Sequence, residues 1–386
     1  MGENLILKNF SYRKKTNKQK KLLNYLKKIN SIQWPQFLSS YKKNYKYSYN
    51  KNLIKKYYLF KNINIIGMGG SSLGTKAIYN FLIHKIKKNV NFFENLNLKN
   101  DSQAKGLNII ISKSGNTLET ISNFNTCYNK SQKNIFITEK NNSYIRRLAS
   151  KLKSDIIDHK NFIGGRFSVL SEVGMLPAQL MGLNERKFKQ FNNLITKKKF
   201  LNSLTHNVLG MYDLIKKRKF NSVVLNYDPY SEDLFKWYQQ LVSESLGKNS
   251  KGILPIISTM PKDNHSLLQL YLSGFKSNFY TFYTVNETNS SKLNPKLLFK
   301  EFDFLKQKKT YQILNAQRLA TIKIFNSKKI PFRSFYINKR NEQTLGELFC
   351  FFTLEVILLS HLLKVNPLNQ PEVELVKKET FKILKR

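Results

Sequence analysis

The sequence predicts an α/β protein built from two doubly wound parallel-sheet domains and closed by a C-terminal helix, and three observations predict it. Short apolar runs alternate with amphipathic helical stretches along most of the chain, the pattern of strands joined by crossover helices. Two of those runs end in turns rich in glycine or hydroxyls, NIIGMGGSSLG and IIISKSGNTLE, where an open parallel sheet places its ligands. The length of 386 residues, with 41% hydrophobic content, 28 Phe and 20 Tyr, suffices for two cores at about 150 residues per domain. The expected division is a helical lead-in over 1–58, a first sheet domain over 59–200, a second over 201–363 and a helical segment over 364–386.

The lead-in is rich in Lys, Asn and Tyr, with helix expected around Lys21 to Lys28 and again after Pro35, and no chemistry can be assigned to it. NINIIGMGGSSLGTKAIYNFL then reads as strand, turn and helix, the helix carrying Leu73, Ala77, Ile78, Phe81 and Leu82. Gly67, Gly69 and Gly70 leave backbone N–H groups bare, and Ser71 and Ser72 open the helix, so free donors and a positive helix end face the space above the strand. An anion fits there. The spacing matches neither a dinucleotide fingerprint nor a P-loop, and by itself this turn is as compatible with a tight bend that binds nothing.

The next unit repeats the design. Leu107 to Ile111 form an apolar strand, followed by Ser112, Lys113, Ser114, Gly115, Asn116 and Thr117 and then a helix. Three hydroxyls that can each rotate a donor toward an oxygen make a phosphate cradle, and two adjacent anion loops imply one phosphorylated ligand. NIFITE with SYIRRLASKL continues the alternation. In IGGRFSVLSEVG, Gly164 and Gly165 permit close backbone approach and Arg166 follows them, which alone describes a surface turn as well as a ligand contact. A helical region over about 184–219 leads to FNSVVLNY, GILPIIS, FYTFYTV and PFRSFYI, the strands of the second domain.

Between the first two of these strands lies SEDLFKWYQQLVSESLGK. Leu234, Trp237, Leu241 and Ser245 recur at helical spacing, so Gln240 and Glu244 stand one turn apart on one face, an amide beside a base. His265 sits at a loop-to-helix junction in DNHSLLQ, and Lys377 in the last helix among Lys378 and Lys382. Taken singly, Glu244 reads as a solvated carboxylate, His265 as a capping or surface residue and Lys377 as a solvated lysine. TLGELFCFFTLEVILLSHLL is apolar enough to require burial; its longest apolar run is interrupted by Glu355 and too short to span a bilayer.

Charge is the anomaly of the composition: 66 Lys+Arg against 24 Asp+Glu give +42. In isolation that suggests a polyanionic partner. The lysines are spread along the whole chain among Asn and Ile, and only Lys14, Lys15, Lys18, Lys20 and Lys21 are dense enough for a basic arm, so nucleic acid is the third reading and not the expected partner. Cys127 and Cys350 form no CxxC pair, and no His/Cys/Asp cluster has ligand spacing, so neither disulfide framework nor metal site is indicated. The N-terminus has no secretory h-region, and a cytoplasmic location is expected.

Taken together and in order, these segments resemble the phosphoglucose isomerase family of SIS-type sugar-phosphate proteins. The resemblance rests on GMGGSSLG, SKSGNTLET, GGRFSVLSEVG, QQLVSESLGK and VNPLNQPEVELVKK, and runs from about residue 62 to 378. It implies two SIS-type domains and reversible aldose–ketose isomerisation of glucose 6-phosphate and fructose 6-phosphate through a cis-enediolate, in glycolysis and gluconeogenesis, with no cofactor. Carried across residue by residue, it implies Gly70, Ser71, Ser112, Lys113 through its backbone, Ser114 and Thr117 around the phosphate, with Gln240 and Gln370 nearby. Glu244 becomes the proton-transfer base, Arg166 the cation beside the enediolate, and His265 with Lys377 the ring-opening pair. It further implies a homodimer in which His265 reaches the partner's site. Asn116, Asn369 and the Pro371–Glu372 pair depart from the family pattern. A broader isomerase that also takes mannose 6-phosphate, and a sugar-phosphate sensor that keeps the cradle without the acid–base set, are the competing readings.

Overall fold

The computed structural model describes residues 4–10, 17–30, 36–96, 106–287 and 289–386. Its strands are β1 (Leu5–Lys8), β2 (Asn62–Gly67), β3 (Asn89–Phe93), β4 (Leu107–Ile111), β5 (Lys133–Glu139), β6 (Asp155–His159), β7 (Asn221–Asn226), β8 (Leu254–Thr259), β9 (Asn278–Val285) and β10 (Phe332–Ile337). The helices of the first half are α1 (Asn17–Asn30), α2 (Lys51–Tyr57), α3 (Leu73–Phe81), α4 (Leu118–Cys127), α5 (Tyr144–Lys151), α6 (Glu172–Leu180), α7 (Glu185–Phe188) and α8 (Phe191–Ile195). Those of the second are α9 (Lys198–Lys216), α10 (Glu232–Leu246), α11 (Leu268–Ser273), α12 (Thr310–Ser327), α13 (Glu342–Leu363) and α14 (Pro371–Leu384).

Among the described residues these strands form two five-stranded sheets. The first, β3-β2-β4-β5-β6, is parallel throughout. Every residue of β4 is buried, as a parallel strand covered by helices on both faces requires. Asparagines in register on four neighbouring strands satisfy one another there: Asn91 donates to Asn64, Asn64 to Asn108, and Asn108 to Asn134 and Gln132. Each buried amide thus has a partner inside an otherwise apolar layer. Because β2 lies between β3 and β4, the chain leaves β2 and β4 in opposite directions and the loops after them flank a crevice. Register pairs Gly67 with Ile111, so the two anion loops begin side by side.

The second sheet, β1-β10-β9-β7-β8, repeats that order for its parallel strands. Its remaining edge is occupied by β1, antiparallel to β10 from Leu5↔Ile337 to Lys8↔Ser334. Residues 5–8, expected within a helical lead-in, are therefore a strand. Leu5 is buried while Lys8 points to solvent, and the pairing covers an edge that β10 would leave open.

The core is centred on α13. By length and composition this helix is long and apolar enough to cross a membrane, longer than the apolar run read from the sequence, yet 89% of its apolar window is buried inside the protein. Trp237 of α10 meets Phe349 edge-on at 4.8 Å, and Tyr238 meets Phe352 at 4.6 Å. Glu355, mid-helix and fully buried, is compensated by Arg333, Tyr238 and Asn207. On its other side α10 packs on α3 of the first sheet, so the Glu244 helix is the element shared by both halves. In contrast, α14 has no buried residue.

Candidate active site

Close backbone approach assembles the site. Gly70 and Gly165 meet so tightly that a Cβ on Gly70 would lie 2.3 Å from the Gly165 carbonyl carbon, and the Ser168 hydroxyl donates to the Gly70 carbonyl at 3.2 Å. No side chain fits between the β2 turn and the segment carrying Arg166. Gly69, at φ +56°, faces the Gln240 amide: a Cβ there would be 3.0 Å from Nε2. The first anion loop, the arginine turn and the Glu244 helix therefore converge without intervening side chains.

At their junction stands Arg166, 3% exposed, in the 3₁₀ turn Gly165–Leu170. Its Nη1 donates to Glu244 Oε2 at 2.8 Å and its Nε to Ser245 Oγ at 3.0 Å. Nη1 also meets Gln370 Oε1, while Nη2 meets the carbonyls of Pro367 and Asn369. Burial lowers the guanidinium from its ordinary value and Glu244 opposes that shift. Gln240 Nε2 holds the other carboxylate oxygen of Glu244 at 2.9 Å, so both oxygens are oriented. The Glu244 side chain keeps 22% exposure, enough to be reached from the crevice.

The second loop forms the cradle. Ser112 is buried, its hydroxyl paired with Thr117 Oγ1 at 2.9 Å and accepting from Gly115 N–H at 3.1 Å. Gly115 takes φ +68°, and a Cβ there would strike Ser143 Oγ at 2.0 Å, so the turn demands glycine. Ser114 is exposed and Thr117 precedes α4, whose positive end faces the cradle. Ser71 is half-buried beside buried Gly70. The Lys113 ammonium is occupied elsewhere, donating to the Asn161 carbonyl at 2.8 Å with Glu139 3.5 Å away. Asn116 accepts from Tyr144 N–H at 3.0 Å and so ties the cradle to α5.

His265 and Lys377 stand apart from this network. His265 is exposed in the loop after β8. Lys377 lies on exposed α14, paired with Glu374 at 2.7 Å. Pro371 starts that helix, where its missing N–H costs nothing. A residue that sequence reasoning passed over is Lys248, which closes QQLVSESLGK. Its ammonium bridges the carbonyl of Ser245 at 3.0 Å and that of Asn366 at 2.6 Å, joining the end of α10 to the loop that delivers Gln370. Burial, with Arg166 nearby, pulls it down to about 8. Its only sequence signal was its place in the motif.

The phosphoglucose isomerase family model matches residues 54–258. A protein named glucose-6-phosphate isomerase from Methanocaldococcus jannaschii is 32% identical over 88% of this chain and 88% of its own length. Among solved structures, a hypothetical protein from Thermus thermophilus superposes with TM-score 0.82 at 20% identity, over 95% of this chain and 94% of that one. A glucose-6-phosphate isomerase from Chlamydia trachomatis superposes with TM-score 0.77 at 17% identity, covering 100% of this chain and 89% of its own. These superpositions carry the fold; the family match and the relative carry the membership: the chain is an isomerase and belongs to the phosphoglucose isomerase family.

Proposed function

We propose that Glu244 moves the proton between C1 and C2 in the isomerisation this chain performs, with Arg166 as the fixed cation beside the reacting oxygens. The reaction is the interconversion of glucose 6-phosphate and fructose 6-phosphate, the step its family supplies to glycolysis and gluconeogenesis. The observation that carries the assignment is the closed network in which Arg166 and Gln240 each hold one oxygen of Glu244 beside the Ser112–Thr117 cradle.

The phosphate binds over the turns after β2 and β4, taking donors from Ser71, Ser112, Ser114 and Thr117 and from the backbone at Gly70 and Lys113. Gln240 and Gln370 fix the sugar. After His265 and Lys377 divide the proton transfers that open the ring, Glu244 removes the C2 proton of the aldose, the pair of electrons forms the C1–C2 double bond, and negative charge collects on the enediolate oxygens. Arg166 meets that charge with a guanidinium that needs no reorganisation. The hydroxyl proton passes from O2 to O1 and Glu244 returns the carbon-bound proton to C1, giving the ketose, so one carboxylate serves both carbons without a cofactor.

The working unit is a cytoplasmic homodimer in which His265 serves the partner's site. Two features support it: His265 stands outside its own chain's network, and α14 leaves Val373, Leu375, Val376, Phe381, Ile383 and Leu384 exposed. A helix of 14 residues with no residue buried is marginal in water, so a second copy is its natural cover.

Glu244→Gln is expected to keep the fold and inhibitor affinity while C2 deuterium wash-in falls by at least about a thousandfold, because the near-isosteric amide is no base. Wash-in at the wild-type rate refutes the assignment. Mixing this variant with His265→Ala after dissociation tests the dimer. If His265 acts in trans, a mixed dimer has one site with both lesions and one with neither, so activity returns; heterodimers that stay inactive exclude the trans arrangement. Mannose 6-phosphate in the same assay decides the breadth of the substrate range.

A further inference from the structure

The crevice side of Arg166 is accounted for by Glu244, Gln370 and the 367–369 carbonyls. Its rear side is built with equal care and has no part in the chemistry. The guanidinium lies 5.3 Å over the ring of Phe167, which packs at 4.8 Å on Phe37 from the 3₁₀ turn Gln36–Tyr41 of the lead-in. At the far end of the Gly165–Leu170 turn, the Leu170 carbonyl accepts from the ammonium of Lys189, whose second acceptor is the Ser40 carbonyl of that same lead-in turn. Lys189 is 3% exposed, with the rings of Tyr45 and Tyr47 at 5.1 and 4.9 Å.

The next residue past the turn, Ser171, caps α6, and Glu172 beside it is fully buried. Its carboxylate accepts from the Tyr45 hydroxyl at 2.8 and 2.9 Å and from Ser48 N–H at 3.1 Å. Tyr45 and Ser48 again belong to the lead-in. A buried lysine that holds the end of one short turn and a buried carboxylate two residues past that end are thus each satisfied by the same N-terminal segment. Burying both is expensive unless each is partnered, and the lysine's two carbonyl acceptors tie the arginine turn to the lead-in.

We propose that Lys189 is a positioning residue for Arg166: together with Phe37 it clamps both ends of the arginine turn against residues 36–48, which fixes the guanidinium at the height where the enediolate forms. The stretch of lead-in without chemistry of its own acts as the back wall of the active site. This inference rests on Arg166 being the cation of the reaction, and a displacement of about 1 Å at such a group is enough to cost catalysis heavily.

Lys189→Met keeps the length of the side chain and removes both donated hydrogen bonds. Its kcat is expected to fall about 10- to 100-fold with KM within about twofold of wild type, measured well below the variant's melting temperature. In an Arg166→Ala background the same substitution is expected to change kcat by less than about twofold, since the residue it positions is gone. A melting temperature that drops while kcat stays at the wild-type value, or a full additional loss on top of Arg166→Ala, overturns the inference. If Lys189→Met does not fold, Phe37→Leu carries the same two comparisons. Arg166→Ala alone separates the two readings. A wild-type kcat in that variant refutes the role of Arg166 itself, whereas a crippled Arg166→Ala beside an unimpaired Lys189→Met or Phe37→Leu refutes only the positioning role.

Discussion

The two sheets share one strand order and end in opposite chemistry. In each, the chain leaves the first and third parallel strands in opposite directions, so each has a crevice between the loops after them, β2 and β4 in one case and β7 and β9 in the other. The first crevice presents the Ser112 and Thr117 hydroxyls and a helix end, a set suited to an anion. At the second, the chain supplies both charges. Asp228, two residues past β7, takes both ends of the Arg340 guanidinium at 2.7 and 3.1 Å and the Ser231 hydroxyl at 2.5 Å, with Glu287 beyond β9 3.5 Å from Arg340. That guanidinium also covers Phe81 of α3 and Tyr230 at 4.9 and 5.1 Å. Topology creates a place for a ligand twice, and side chains decide whether it is left open for substrate or closed by an internal ion pair that fastens the second half to the first.

Removing each crevice's charge partner tests this contrast. Arg340→Met leaves Asp228 buried without its cation, and about 3 to 5 kcal/mol of stability is expected to disappear while KM for the sugar phosphate stays within about twofold. Urea unfolding alongside a coupled assay checks both halves of the statement. A loss under about 1 kcal/mol, or a KM that rises with it, means that the second crevice is not a closed structural site. Ser112→Ala combined with Thr117→Ala is expected to do the reverse. Each lost hydrogen bond to a phosphate oxygen is worth about 1 to 2 kcal/mol, so a phosphorylated inhibitor should bind roughly 30- to 1000-fold more weakly with little change in the urea midpoint. Unchanged affinity in calorimetry removes the cradle.

Local pattern made the first crevice legible in the sequence. An apolar strand, a turn of glycines or hydroxyls and an amphipathic helix are contiguous features, and the fold keeps them contiguous in β2 to α3 and β4 to α4. The Glu244 helix was legible for the same reason, since one turn of helix sets Gln240 beside Glu244. What escaped was non-local or edge structure. NVNFF and DIIDH, which form β3 and β6, alternate or end in polar residues because they lie at or near solvent on the sheet edges, and β1 exists only by virtue of β10. Buried and half-buried cations escaped for another reason. In a chain with 66 Lys+Arg, nothing in the composition distinguishes Lys189, Lys248, Arg333 or Arg340 from a solvated neighbour. Each becomes visible only when distant segments supply its partners.

The smallest expected effect concerns an ionisable group that the first half keeps behind its crevice, whereas the second half keeps Asp228 and Arg340 at the mouth. His159, at the end of β6, is buried, with Nε2 on the Ile163 carbonyl at 3.1 Å. Burial pushes its pKa down to about 4, the Ile163 hydrogen bond opposing and the charge of Lys113 assisting. Glu172 lies 3.9 Å from Nδ1, yet its carboxylate is already taken by Tyr45 and Ser48, so it does not rescue the imidazolium. The folded value lies below the ordinary 6.5, so between these limits the unfolded chain binds the proton that the folded chain refuses. The stabilisation is complete above about pH 6.5 and is lost as pH falls toward 4, amounting to about 2 kcal/mol between pH 7 and pH 5. His159→Gln cannot take up that proton in either state. Its urea midpoint should therefore fall less than that of wild type over this interval, the difference between the two profiles isolating the histidine from the carboxylates that titrate below it. Parallel profiles would mean that folded and unfolded chains titrate His159 alike, and a wild-type midpoint that falls less than the variant's would mean an imidazolium paired with Glu172, an internal ion pair behind the first crevice to match the one that closes the second.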